Sequence, residues 1–239
     1  MKKNKTLVVA HRGAKGLVKI ENSIEAFDKA IEVGSDLIEL DVRRTSDNVI
    51  IINHDPSING LVIKDHTYQE LKDTCNSLGY HLLTLDETIS KYGKLITLDI
   101  EIKEVGYEKD ILDIIFKYLS PSEFYIRSFY DQAILNVKNI CSDVYCYLLV
   151  GRGKITFRER LTEIFPKRRM KKCKADGISP LHKIMILGYT TRMHLRGVKV
   201  SVWTVNDEEI MRKLIKKGAD YIVTNYPDLA LKVRNELQK

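Results

Sequence analysis

Short apolar runs alternate with amphipathic stretches along most of this chain. Residues 6–10, 37–42, 95–103, 124–129, 144–150, 175–179, 199–205 and 221–224 are apolar and β-branched enough to read as strands. Helical periodicity fills the gaps at 23–33, 108–119, 131–140, 155–165, 183–196, 207–217 and 227–237. In the first of these Ile24, Phe27, Ala30 and Ile31 share a face, Asn22 or Ser23 is placed to cap it, and Gly34 closes it. Ile210, Met211, Leu214 and Ile215 form the matching face near the C-terminus, and Pro166 stops the helix at 155–165.

The rhythm breaks between His54 and Lys94. An extended piece at 49–53 leads into a loop bearing Asn59-Gly60, a short helix near 68–73 and another at 86–92. Eight strands, most followed by a helix, fit a closed (β/α)8 TIM barrel of roughly 250 residues. The expected organisation is one domain, 1–239, with a small insertion at about 55–93 between the second and third barrel strands. A doubly wound open sheet would call for a Gly-rich dinucleotide fingerprint, which is absent. Gly34-Ser35-Asp36-Leu37-Ile38 and Gly218-Ala219-Asp220-Tyr221-Ile222 share turn chemistry rather than a long repeat.

Within this pattern the run 37–55 stands out. Glu39 and Asp41 sit two residues apart in an apolar strand, so both project to one face. Like charges ~4 Å apart at an effective dielectric of ~20 repel by roughly 4 kcal/mol. Either one acid is protonated, a cation lies between them, or one faces solvent. In a barrel the C-terminal strand ends line the active-site mouth. Those ends carry His11 and Arg12, then Glu39 and Asp41 with His54 downstream, then Glu101 and Lys103, and late in the chain Trp203, Thr204 and Asn206. An all-oxygen acid set suits Mg²⁺ or Ca²⁺, with Mn²⁺ a further candidate, better than Zn²⁺. Fixed cations beside such a site suit a phosphate, and two histidines can serve as base and acid around phosphorus. Asp99 shares the face of Glu101 one layer deeper and reads as structural.

Charge and cysteine content narrow the class. The net charge is +7, and the segment from Arg152 to Lys174 holds ten Lys/Arg against Glu159 and Glu163. Arg152 and Lys154 follow the fifth strand and belong near the mouth. The run 167–174 follows a helix, so it is expected as a solvated connection on the far face, away from substrate. No nucleic-acid motif accompanies it. Cys75, Cys141, Cys146 and Cys173 show no C-x-x-C spacing and are expected to stay reduced. No apolar run reaches a membrane span, and the run at 7–10 is too short for a signal core, so the expected location is cytoplasmic, with peripheral membrane contact left open.

Together, Ala10-His11-Arg12-Gly13, Glu21-Asn22-Ser23, Glu39-Leu40-Asp41, Thr45, Asp47, His54-Asp55, Leu98-Asp99-Ile100-Glu101-Ile102-Lys103, Trp203-Thr204-Val205-Asn206 and Gly218-Ala219-Asp220 through Thr224 resemble the glycerophosphodiester phosphodiesterase family. The resemblance runs in order from about residue 6 to 232. It implies a TIM barrel hydrolase, dependent on Mg²⁺ or Ca²⁺, that splits a small glycerophosphodiester into glycerol 3-phosphate and an alcohol. It implies Glu39, Asp41 and Glu101 as metal ligands, His11 and His54 as the acid/base pair, and Arg12 and Lys103 as phosphate holders. Trp203, by residue type core packing, becomes by position and resemblance a wall for the glycerol moiety. The insertion would lie over the mouth. Two departures are Asn225, where the family often has Asp, and Ile20, where Pro is common. Alternative readings are lysophospholipase D-type cleavage of lysophospholipids and a non-catalytic phosphate-binding barrel. The histidines at 66, 81, 182 and 194 read as structural or exposed.

Overall fold

In chain order the strands of the computed structural model are β1 (Leu7–Ala10), β2 (Leu37–Arg44), β3 (Ile50–Ile52), β4 (Ser57–Ile58), β5 (Leu61–Val62), β6 (Thr97–Ile102), β7 (Phe124–Ser128), β8 (Tyr145–Val150), β9 (Gly177–Pro180), β10 (Ser201–Val202) and β11 (Tyr221–Thr224). Residues 5–153 and 155–238 are described, and Lys154 lies outside them. Eight parallel strands follow one another in space as β10-β11-β1-β2-β6-β7-β8-β9. The ring closes between β9 and β10, where Ile178 N donates to Lys199 O at 3.0 Å and Trp203 N to Pro180 O at 3.1 Å. This is the (β/α)8 barrel expected from the alternation.

The helices are α1 (Ile24–Glu32), α2 (Tyr68–Ser77), α3 (Leu85–Tyr92), α4 (Glu108–Ile115), α5 (Asp131–Ile140), α6 (Phe157–Ile164), α7 (Lys167–Cys173), α8 (Tyr189–His194), α9 (Glu208–Lys216) and α10 (Pro227–Leu237). Ser23 rather than Asn22 caps α1, its hydroxyl accepting from Ala26 N at 3.1 Å. Capping boxes start α2 at Thr67/Glu70 and α3 at Thr84/Glu87. None of the described helices is long and apolar enough to cross a membrane.

Two apolar layers follow from strand parity. Ile38, Leu40 and Val42 of β2 join the main core between strands and helices. Leu37, on the face of Glu39 and Asp41, joins Val9, Tyr147, Tyr221 and Val223 inside the barrel. Tyr125, Tyr145, Tyr147 and Tyr221 meet there with ring centroids 5.1 to 6.1 Å apart. Above them Arg127 donates Nε–H to Asp99 Oδ1 at 2.7 Å, both side chains fully buried. The insertion has its own small core of Ile51, Ile58, Ile63, Leu71, Cys75 and Leu82.

Two local expectations change and a third gains detail. The run 167–174 is not a solvated connection: it forms α7. Met170 and Cys173, three residues apart, bury one side, and Arg169 Nη2 donates to Asp131 Oδ1 at 2.5 Å. Charge density hid a helix with a narrow apolar stripe. The helix expected at 183–196 is a 3-10 turn, His182–Ile184, followed by α8; Leu187 and Gly188, at φ 51° and 63°, break the helical path between them. Finally, the Asn59-Gly60 loop is a tight hairpin turn, both residues at positive φ (48° and 86°), joining β4 to β5.

Candidate active site

Parallel pairing sets β2 and β6 side by side with Glu39 opposite Asp99 and Asp41 opposite Glu101. One oxygen each from Glu39, Asp41 and Glu101 lies within 4.8 Å of the others, and all three residues are buried. Lys103 Nζ stands 2.6 Å from Glu101 Oε1 and 2.9 Å from Asp41 Oδ1. Arg12 Nε is 3.3 Å from Asp41 Oδ2, and Arg12 Nη1 donates to Glu21 Oε1 at 2.7 Å. Asn22 Nδ2 donates to Asp41 Oδ2 at 2.9 Å.

The backbone after β1 is bent to serve this cluster. Arg12 holds a left-handed φ of 54°, which turns its N–H onto Glu39 Oε2 at 2.9 Å. Gly13 follows at φ +76°, and a Cβ there would lie 2.6 Å from Ala26, so only glycine lets α1 approach.

The charges do not titrate alike. Burial, then the Asp41 charge, drives Glu39 well above the usual carboxylate range. Burial also raises Glu101, against the opposing pull of Lys103. Burial would raise Asp41 too, but Lys103, Arg12 and His54 overcome it and hold Asp41 at about 2. The protein alone therefore supplies less positive charge than three ionised acids require. Asp41 Oδ1 lies 2.9 Å from Lys103 Nζ and, among the described residues, has no hydrogen-bond partner of good geometry. Buried, hard oxygen donors at this spacing fit a divalent Mg²⁺-, Ca²⁺- or Mn²⁺-type ion.

Both histidines expected from the sequence reach this rim. His11 Nδ1 is 2.7 Å from Asn225 Oδ1, and its Nε2 is 3.9 Å from Glu39 Oε2. The amide oxygen can only accept, so Nδ1 carries the proton and Nε2 the lone pair. Burial, then Arg12, lowers His11 to about 3. His54 Nδ1 is 2.7 Å from Asp55 Oδ1, which likewise leaves Nε2 open, and burial with Lys103 lowers its pKa. Arg43 Nε and Nη2 donate to the His54 carbonyl at 2.9 and 2.8 Å, clamping the loop that carries it. Trp203 is half-buried; its Nε1 donates to Ser179 O at 2.8 Å and its ring meets Phe129 at 5.3 Å.

Four supporting residues were given no such role by sequence reasoning. Arg43 had a readable signal, since it continues the i, i+2 face of Glu39 and Asp41. Asn225 was visible only as a departure from the family pattern. Asn22 was visible as a cap candidate and within the Glu21-Asn22-Ser23 motif but not as a partner of Asp41, and Arg127 acts across the fold and left no local trace. A groove of about 1130 Å³ lies elsewhere, between α8 and α9, and includes none of these residues.

Residues 11–229 match the sequence model of the glycerophosphoryl diester phosphodiesterase family. A glycerophosphodiester phosphodiesterase from Caldanaerobacter subterraneus subsp. tengcongensis is 30% identical over 242 residues, covering 94% of this chain and 96% of that protein. The crystal structure of a glycerophosphodiester phosphodiesterase from Parabacteroides distasonis aligns with a TM-score of 0.83 at 27% identity, over 99% of this chain and 100% of that one. An Oleispira antarctica phosphodiesterase, solved in complex with the product sn-glycerol-3-phosphate, shares the fold at a TM-score of 0.81 and 21% identity, over 97% of each chain.

Proposed function

This chain belongs to the glycerophosphoryl diester phosphodiesterase family, and from that premise we propose that it hydrolyses glycerophosphodiesters to glycerol 3-phosphate and an alcohol through a metal-assisted, two-histidine mechanism. We read residues 1–239 as one barrel domain whose insertion at 55–93 borders the mouth. The observation that carries the reading is the single rim where three buried acid oxygens within 4.8 Å meet two cations and two histidines with open Nε2 atoms.

Glu39, Asp41 and Glu101 would hold the ion. A bound divalent cation supplies Lewis-acid polarisation of a phosphoryl oxygen and a counter-charge to the phosphate. Lys103 and Arg12, already turned toward the acids, offer N–H groups to the remaining phosphate oxygens. His11 is the base: depressed to about 3, it is neutral at pH 7 and its Nε2 can take a proton from water or from the adjacent glycerol hydroxyl. His54 is the acid: Asp55 holds its Nδ1–H, and the negative charge of a bound phosphodiester favours the doubly protonated ring, whose Nε2–H passes to the departing alkoxide. The nucleophile's oxygen bonds phosphorus as the P–O bond to the alcohol breaks, its proton going to His11 and that of His54 to the leaving alkoxide. Where the glycerol hydroxyl attacks, the product is a cyclic phosphate that water then opens to glycerol 3-phosphate with the two histidines in reversed roles. Trp203 walls the glycerol side.

The direct test is glycerol 3-phosphate release from glycerophosphocholine and glycerophosphoethanolamine, with and without EDTA. Release that stops on chelation and returns with Mg²⁺, Ca²⁺ or Mn²⁺ is expected. Undiminished turnover after chelation refutes the metal role, and no release under any condition favours a non-catalytic barrel.

Asn225 offers a second test through pH. His11 must be neutral to act as base, so activity falls as pH drops through its pKa. Asn225→Asp sets a carboxylate against Nδ1 and favours the protonated ring. The acid limb of kcat/KM is therefore expected to move to higher pH by roughly 1–3 units. An unmoved limb would remove His11 from the base role.

A further inference from the structure

Helix α6 is an addition to the barrel rhythm, because α7 already spans the path from β8 to β9. It folds back over the mouth end of β8: Glu163 is buried and its Oε1 accepts from Gly151 N at 3.0 Å. Its apolar residues nevertheless face outward. Phe157 is 77% exposed and Leu161 38%, four residues apart on one side of the helix, and Phe165, which caps its C-terminus, is 52% exposed. The stripe continues past the helix. Arg192 lies over the Phe165 ring at 4.7 Å and donates Nε–H to the carbonyl of Leu187, itself 69% exposed, at 3.0 Å. In the other direction Arg152 stacks on Phe129 and Tyr130, and Phe129 packs on Trp203 at the candidate active site.

Positive charge predominates on the rim beside this stripe. Glu159 closes the capping box with Thr156, and Glu163 pairs with Arg160 inside the fold. Glu159 stays exposed, so the two acids balance the two arginines of α6 and the positive excess comes from the rim around it. Arg152, Arg158 and Lys183, on α6 and its neighbouring rim loops, are exposed.

We propose that the α6 face, Phe157, Leu161 and Phe165 with Leu187, docks the barrel mouth onto an anionic phospholipid bilayer surface. Outward aromatic and aliphatic side chains on a short helix, flanked by Arg and Lys, enter the headgroup region while the cations meet lipid phosphates. A protein partner would require complementary shape, whereas a lipid surface asks only for the amphipathic stripe and positive sign seen here. Ring contacts run from Trp203 through Phe129 to Arg152, and the adjoining Gly151 N and Gly153 O hydrogen-bond Glu163 and Arg160 of α6, which sets that surface beside the candidate active site.

Sedimentation with phosphatidylglycerol vesicles and with phosphatidylcholine vesicles, at low and high salt, tests this. Binding to the phosphatidylglycerol vesicles, weakened by salt, is expected. The Phe157→Ser/Leu161→Ser variant is expected to lose it by roughly 10-fold or more, and Arg158→Glu to weaken it, both with unchanged circular dichroism. Turnover of dissolved glycerophosphocholine should match the parent in both. Absence of vesicle binding by the parent, binding equal in the double variant, or a concentration-dependent dimer broken by that variant would each overturn the proposal. Docking needs no hydrolysis, so vesicle binding without glycerol 3-phosphate release would sink the hydrolase reading and leave this one standing.

Discussion

Replacing Glu39 with Gln is expected to remove hydrolytic activity while leaving the metal-free protein at least as stable as the parent. The carboxyl is buried, and burial and Asp41 already push its pKa well up. A neutral amide of the same shape relieves that crowding and still accepts the Arg12 N–H that now ends on Oε2. Adding Mg²⁺ should reverse the ranking. A ligand that binds only the native state stabilises it by about 2.7 kcal/mol at 100 times its Kd, and the variant, one donor short, should gain less. Glycerol 3-phosphate release should fall by roughly 100- to 1,000-fold or more. Melting curves in EDTA and in Mg²⁺, beside the activity assay, check both halves. A variant that melts below the parent in EDTA, or that turns over at the parental rate, contradicts this account.

Arg127→Met should be the most damaging change among those proposed away from the acids, costing roughly 3–5 kcal/mol. Arg127 is fully buried, pairs twice with Asp99 and reaches Ser201 Oγ at 3.4 Å. Removing it strands the Asp99 carboxylate inside the barrel. Burial already raises the Asp99 pKa despite the arginine, and without it the rise is larger. A folded pKa above the unfolded one means the native state binds more protons. The deficit of the variant should therefore shrink as pH falls through that raised pKa and be complete above it. Because Arg127 also opposes the charge of Glu39 and Glu101, its loss should weaken metal binding as well. Urea unfolding at pH 7 and pH 5 measures the effect, with Arg127→Met/Asp99→Leu expected to recover much of it. Equal losses in the single and double variants would mean that packing volume, not a stranded charge, sets the cost.

The two substitutions probe different parts of one barrel interior. Glu39, Asp41 and Glu101 crowd at the rim, where compensation by Lys103 and Arg12 is incomplete and an added cation fits. One layer down, Asp99 and Arg127 balance each other and close the interior above the tyrosine cluster. The same alternation along β2 and β6 that lines up the acids therefore also separates a reactive layer from a supporting one.

Periodicity carried the architecture because burial leaves a local mark. Strands buried on both faces read as apolar runs, helices as stripes, and eight repeats in 239 residues admit few closed solutions. Asp131–Ile140, Tyr221–Thr224 and Pro227–Leu237 even keep their expected bounds. The acids, histidines and cations were legible for a related reason: they lie along or just beyond strands whose C-terminal parts share one mouth. What the chain order could not convey was pairing between distant residues. Asn225 against His11, Arg43 beneath His54, Asn22 on Asp41 and Arg127 on Asp99 each join segments that meet only once the barrel is closed. Exposure was equally hidden, for an amphipathic stripe reads alike whether it faces a core or water. Identity and spacing thus specify which groups are present and on which strand face. Three-dimensional closure alone sets which of them touch, which lose their solvent, and which apolar faces stay uncovered, because desolvation and contact belong to the assembled fold rather than to any segment of it.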